Sequence, residues 1–499
     1  MTDTHVNCLI IGAGFSGLSC ANEILKHKKD ASVRVLEASD RVGGRCLTDS
    51  DGFDLGGRYV GCDQHHVLRL AQEMGTKAFK VYKRGESRFF FGGHSCAWEE
   101  ELPPLSLTGQ KHVRNMFSQL DKMASSLKYD KSQASQLHAL DNMTFHDWCL
   151  RTCPGEDSDA RLARSVLENA FEGGACLDAS QFSVLMVAAQ IKEEGGFRKM
   201  MEGTIEDHKI AGGMGNLCVR LWKSLPVGLV SFNSPVVSVE HSDPSKVSVT
   251  VRKPDGAQYK ITTDYLVLAI PPNQIIKIQF QPTLPQMKAE GWTKMPIGKV
   301  IKTIVHYRTA WWRQCGLSGE GTCDVGPVSS SADDHIVEGN AQPSLLGFIN
   351  GRLVAQWMSA SYEARKAAVL DQYAKMYQDQ RAISDCVCYK EKIWMEEPYI
   401  GGGYTCIPMP GSSVQHPFEE LFAPIANDRI RFAGTESSEH MSGYVDGAIK
   451  AGEREGRNVL VVQGLLPKSE YHNYKDPGPS RLIRKNPFAY LCSCFGYLI

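Results

Sequence analysis

The stretch VNCLIIGAGFSG at residues 6–17 limits the fold more than any other part of the chain. A β-branched run, Val6–Ile11, stops at Gly12, and Gly14 and Gly17 follow at the spacing Gly-x-Gly-x-x-Gly, with Phe15 and Ser16 between them. Leu18 to Leu25 then has helical spacing. A strand that turns tightly into a helix brings the helix's free N–H groups to one point, where a phosphate is stabilised. A second β-run, VRVLE, ends in Glu37. That carboxylate comes about 25 positions after Gly12, against roughly 20 in the fingerprint, and it can accept hydrogen bonds from a ribose. The pattern predicts an α/β unit that binds a dinucleotide.

Nicotinamide enzymes need nothing further, yet the chain continues with EASDRVGGRCLT. Gly43 and Gly44 let the backbone approach a second phosphate or a ribityl chain, and Arg41 and Arg45 supply cation forks for a pyrophosphate. FDLGGRYVG (53–61) sets another glycine pair, Gly56 and Gly57, before Arg58 and Tyr59. Near the other end, RIRFAGTESSEHMSGYVDGAIKAG reads as a strand, a polar turn and a helix beginning near Val445. A helix N-terminus there puts partial positive charge against an anion such as a reduced flavin ring.

Composition narrows the partners. The 499 residues carry a net charge of −1, with 42% hydrophobic and 22% charged residues. These are ordinary globular values for a chain large enough for two or three lobes, and they give no reason to expect nucleic acid. The 16 cysteines are scattered without zinc-type pairs, so no metal is expected. The N-terminus, MTDTHVNCLI, lacks the charged and apolar regions of a signal peptide. The cysteines therefore read as reduced thiols of a cytoplasmic protein. No run approaches the ~20 apolar residues of a membrane span.

Taken in order, GAGFSG, RVGGR (41–45), DLGGRYVG (54–61), LAIPP (268–272), GKVIK (298–302), GGGYT (401–405) and AGTE…SGYVDGA (433–448) resemble the flavin monoamine oxidase family over roughly residues 1–460. The resemblance implies a Rossmann-like FAD-binding domain joined to a mixed-sheet substrate domain. It implies oxidation of a primary amine by dioxygen to aldehyde, ammonia and hydrogen peroxide, with hydride passing to flavin N5. FAD contacts fall on Gly12, Gly14, Phe15, Ser16, Gly17, Glu37, Ala38, Gly43, Gly44, Arg45, Gly56, Gly57, Arg58, Tyr59, Val236, Trp394, Gly403, Gly434, Thr435, Glu436, Gly443, Tyr444 and Val445. Tyr404 and Tyr444 look like the two rings between which the amine approaches the flavin, an arrangement that suits an electron-poor nitrogen. Lys302 looks like the lysine that holds a water at N5 and assists reoxidation, where positive charge stabilises developing superoxide. Strand alternation puts Lys302 on the face of Val300 and Ile304, and Lys299 on the other.

Members of the family that bind flavin covalently carry a cysteine immediately before the first tyrosine. Gly403 stands there in this chain, and Cys406 lies three residues on. FAD is therefore expected to be non-covalent, with the glycine run as a surface against the ring. The resemblance also places Glu206, Met201, Gly173, Gly174 and Ser330 around the substrate, a wider and more polar cavity with one carboxylate for a second cationic group. An L-amino-acid oxidase is the near rival, with Arg58 or Arg88 offered as its carboxylate clamp. A flavin-binding scaffold without turnover is the other, and Tyr404, Tyr444 and Lys302 argue against it.

The motif order makes the FAD domain discontinuous, over 1–83, 210–289 and 396–459, and gives 84–209 and 290–395 to the substrate domain. VRNMFSQLDKMASSL and SVLMVAAQIKEE read as helices, and VIKTIVHYR, SLLGFIN and LVAQWMS as strands. Residues 92–107 and 315–340 read as loops over the entrance. The tail, 460–499, has about a dozen apolar residues after Pro487, too few to span a bilayer. Arg481, Arg484 and Lys485 before Phe488, Tyr490, Phe495 and Tyr497 suit an interfacial anchor, and Cys492 and Cys494 suit acylation. Peripheral contact with an intracellular membrane is one reading of the tail, the mitochondrial outer membrane being the family's precedent; packing on the protein or on a partner subunit is the other, and a homodimer is also admitted.

Overall fold

The computed structural model describes residues 4–98, 104–128, 131–193, 195–197, 207–335 and 342–472. Met201, Glu206 and the tail from 473 onward lie outside the described residues. Thr4–Ile11 pairs in parallel with Val33–Leu36 on one side and Gln258–Leu268 on the other, with Ile11 opposite both Leu36 and Leu268. Around this centre an eight-stranded sheet runs in the order 279–281, 236–240, 247–252, 258–268, 4–11, 33–36, 230–231, and Ile430–Phe432 pairs with the end of 258–268. Parallel strands must be covered on both faces. Cys8 and Ile10 accordingly pack with Leu18, Leu217 and Leu460, while Leu9 and Ile11 join a cluster with Leu266 and Phe432. The helices Phe15–His27 and Val445–Val462 cross at backbone contact. A Cβ on Gly452 would stand 2.1 Å from the Ser16 carbonyl oxygen, so only glycine fits.

The second sheet has seven strands, in the order 386–393, 300–307, 344–350, 330–333, 317–323, 86–91, 94–98. Its strand Val300–Tyr307 is buried at every residue and lies antiparallel to both neighbours, with Lys302 opposite Phe348 and Lys392. A third, small sheet joins Tyr59–Val60, His208–Ile210 and Ala78–Lys80. It straddles the expected domain boundary at 209/210.

Three local expectations are overturned. Within 315–340 the strands Leu317–Cys323 and Ser330–Asp333 replace a loop. The small residues there are demanded by packing: a Cβ on Gly321 would stand 2.6 Å from the Met376 sulfur, on the helix Tyr362–Tyr377. Within 92–107, His94–Trp98 forms a strand against Glu86–Phe91. LVAQWMS is a short helix, Leu353–Trp357, not a strand; a brief apolar run cannot be assigned by periodicity alone. The two longer helical patterns match Leu107–Ser126 and Val184–Glu193. Among the described residues no helix is long and apolar enough to cross a membrane, and the cysteines are free thiols.

Candidate active site

Several helices begin on a side-chain cap: Ser106, Thr144, Asp157 and Ser361 each accept from a backbone N–H of the first turn. Phe15–His27 and Val445–Val462 have no side-chain cap, and both begin at one cavity of about 810 Å³. Uncapped N–H groups at a helix N-terminus attract anions. Ser16 Oγ, buried at the first of these ends, has no hydrogen-bond partner among the described residues, which suits a phosphate oxygen. A Cβ on Gly17 would fall 1.9 Å from the Gly12 carbonyl oxygen, so this glycine lets helix and strand close together and does not itself line the cavity.

Gly12, Gly14, Phe15, Ser16, Glu37, Ala38, Gly43, Gly44, Arg45, Gly56, Gly57, Arg58, Tyr59, Val236, Trp394, Gly403, Gly434, Thr435, Gly443, Tyr444 and Val445 all line it. Glu37 accepts from the Ala13 N–H at 2.8 Å and from Ser39, fixing the first glycine turn. Arg41 donates to Glu397, and Trp394 to the Leu55 carbonyl. This lining fits FAD: the two helix ends and Ser16 would hold its phosphates, and Gly56, Gly57 and Tyr444 its ring end.

Glu436 is set behind that wall. Its carboxylate accepts two bonds from Arg45, at 2.5 and 3.1 Å, and one each from Thr405 Oγ1 and the Cys406 N–H. Burial alone would raise this carboxyl, but the Arg45 guanidinium outweighs it and holds it below its ordinary value. Arg45 also donates to the Tyr404 carbonyl at 2.9 Å. The pair thus positions the tyrosine loop.

Tyr404, Tyr444 and Lys302 line the same cavity. Tyr404 meets Phe348 edge-on, with ring centroids 5.9 Å apart. Tyr444 is fixed by Thr435, whose hydroxyl donates to its carbonyl at 2.8 Å. Lys302 Nζ donates to the Gly56 carbonyl at 2.9 Å and lies 5.5 Å from the Phe348 ring centroid. Burial, then the neighbouring Arg58 guanidinium, depress this amine to about 7. Lys299, one residue before the strand, is exposed, although the face that alternation gives it is buried at Ile301, Thr303 and Val305.

The glycine run divides its labour differently from the expectation. A Cβ on Gly402 would fall 2.2 Å from the Gly298 carbonyl oxygen, whereas one on Gly403 would meet only Val300, at 3.2 Å. Gly402 is the position that tolerates no side chain. Cys406 is buried beside Asn273 and does not line the cavity.

The substrate-side residues fall less neatly. Ser330 is buried in its strand opposite Phe348, and neither it nor Gly173 nor Gly174 is among the cavity residues. Gly173, on the helix Ser158–Ala175, nonetheless faces open space, since a Cβ there meets nothing within 4 Å. Phe348, Pro398, Tyr399 and Asn233 line the cavity and were missed from sequence. Only the register of Phe348 with Lys302 could have pointed to it.

Residues 15–460 match the family described as flavin containing amine oxidoreductase. The chain is 33% identical to human amine oxidase [flavin-containing] B over 475 residues, covering 93% of this chain and 87% of that one. It is 31% identical to the dog A-type enzyme, at 93% and 86% coverage. Among solved structures, wild-type putrescine oxidase bound to putrescine superposes with a TM-score of 0.81 at 27% identity, covering 92% of this chain and 99% of that one. Cyclohexylamine oxidase from Brevibacterium oxydans gives 0.82 at 25% identity with the same coverage. The chain belongs to the flavin-containing amine oxidoreductases, FAD-dependent enzymes that oxidise amines.

Proposed function

We propose that the protein is an oxidase of primary amines, RCH2NH2 + O2 + H2O giving RCHO + NH3 + H2O2, whose preferred substrates carry a second polar or cationic group. The observation that carries the reading is that Tyr404, Tyr444 and Lys302, far apart in sequence, line one cavity with the glycine turns. Bound FAD supplies the hydride acceptor and the electron route to dioxygen. The two tyrosines provide an apolar slot that admits the neutral amine, and Lys302 holds a proton at Nζ beside the Gly56 carbonyl. Near the open space at Gly173, outside the cavity lining, lie buried polar groups: Asn350 Nδ2 donates to the Gly173 carbonyl at 3.0 Å, and Ser329 Oγ donates to Asn350 Oδ1 at 2.6 Å. The likeness to a putrescine-bound oxidase supports the same substrate class.

The amino-acid oxidase reading finds less support. Arg58 has its guanidinium 2.8 Å from the Asp334 carboxylate, and Arg88 does not line the cavity. A peroxide-coupled panel tests all of these readings. Diamines or imidazole-ethylamine are expected to exceed benzylamine at least tenfold in kcat/KM, with L-amino acids inactive. Preference for benzylamine defeats the polar-substrate half, fastest turnover of amino acids defeats the amine reading, and no peroxide from any substrate favours the scaffold.

The cofactor linkage has its own test. Gly403 offers no thiol, so acid precipitation is expected to leave the yellow colour in the supernatant. Colour kept in a washed pellet would point to a covalent bond, with Cys406 as the first residue to replace.

A further inference from the structure

Arg58 and Lys302, in the cavity wall, belong to a buried ionic cluster that continues behind it. Arg58, Lys209, Lys302, Asp54 and Asp334 are each no more than 3% exposed. Asp334 Oδ1 is shared: Arg58 Nη1 stands 2.8 Å from it and Lys209 Nζ 2.7 Å. Lys209 also donates to the His335 carbonyl. Asp54 accepts from Thr48 Oγ1 and the Met214 N–H. Lys302 has a backbone carbonyl and an aromatic ring as partners, and no carboxylate among the described residues forms an ion pair with it.

With every group charged, three cations would face two carboxylates away from water. Uncompensated buried charge is costly, and the group least well paired gives up its proton first. Arg58 cannot do so, because a guanidinium stays protonated. Lys209 is also lowered, by burial and then by Arg58, but it keeps a direct carboxylate partner in Asp334, which Lys302 lacks. Lys302 is left as the group that titrates.

We propose that Arg58, fixed by Asp334 with Lys209 behind it, is a positioning residue that sets the protonation state of Lys302. The consequence for dioxygen rests on the reading of Lys302 given above: reoxidation is fastest while Nζ is charged and falls as pH rises and the proton leaves to solvent. Lys302 faces Arg58 and Asp54 on the 53–60 segment, Lys209 on 208–210, Asp334 after 330–333 and Cys46 in the glycine-arginine turn. Lys392, its register partner, is paired with Glu397. Burial raises the Cys46 thiol to about 12, so it contributes no charge near neutrality.

The test uses the sign of the response, which a folding defect does not imitate. The oxidised holoenzyme is titrated between about pH 5.5 and 10 by flavin absorbance, and its reoxidation by dioxygen is followed over the same range. Arg58→Gln removes a like charge, so the spectral break should move up by about one pH unit or more. Asp334→Asn removes the carboxylate paired with Arg58 and Lys209, so the break should move down. Lys302→Met should abolish it. A break that persists in Lys302→Met, or that moves the same way in both other variants, overturns the proposal. Should the break move as expected while reoxidation ignores it, Lys302 is not the reoxidation residue, and Arg58's hold on its proton stands.

Discussion

Replacing Lys302 by methionine slows reoxidation of the reduced enzyme by dioxygen by roughly 10²–10³, while anaerobic reduction by the amine changes little. The factor is that of losing one preorganised electrostatic group, about 2.7–4 kcal/mol. Methionine keeps the buried apolar volume between Val300 and Ile304, so the strand and its pairing with Ser344–Asn350 are preserved. Stopped-flow measurement of the two half-reactions separates the outcomes, and slow reduction with normal reoxidation would show the assigned role to be wrong. The same variant is expected to be more stable than wild type at neutral pH. The folded-state lysine titrates at about 7, well below its unfolded value of about 10.4. Between those values the unfolded chain binds more protons, so the lysine's burial lowers stability there, and stability rises with pH through that window. Methionine carries no such penalty, and its melting temperature should vary less over that range.

Glu436→Ala is expected to destabilise the protein by about 3–5 kcal/mol, the usual effect of removing one partner of a buried ion pair, and to lower its flavin content. The size follows from what the carboxylate joins. It ties Arg45 of the glycine-arginine turn, Thr405 and Cys406 of the tyrosine loop, and the 433–448 segment that leads into the last helix. With alanine, the Arg45 cation keeps only the Tyr404 carbonyl among the bonds it makes here. Glu436→Gln retains an acceptor and should lose less. Urea midpoints and flavin-to-protein ratios of the two variants check this, and an alanine variant within about 1 kcal/mol of wild type would remove Glu436 from its central place.

Local patterns were readable and long-range pairings were not. The first glycine turn, its strand and its helix follow from the twenty adjacent letters Val6 to Leu25, and GKVIK marked Lys302 as a buried lysine. By contrast, Arg45 and Glu436 are 391 positions apart, and nothing in either neighbourhood marks them as partners. The Arg58–Asp334–Lys209 arrangement depends on three elements meeting, so Arg58 read from sequence looked like a free clamp. Gly17, Gly402 and Gly403 are identical letters with different work. The first admits a strand, the second a neighbouring backbone, and the third has nearly enough room for a side chain. Runs such as LSGEGTC misled because loops and close-packed strands both favour small residues.

The crossing of the first and last long helices at Gly452 bears on how the protein is made. The central strand, 4–11, finds one neighbour only at 258–268, and its helix finds its main cover at 445–462. At about 5–20 residues per second, the ribosome delivers that cover roughly 20–90 s after the first strand emerges. Through that interval the inner faces of Leu18 and Ala21, buried in the finished protein, lack their final packing. The cavity itself is complete only when the start of that last helix, at Val445, has been made.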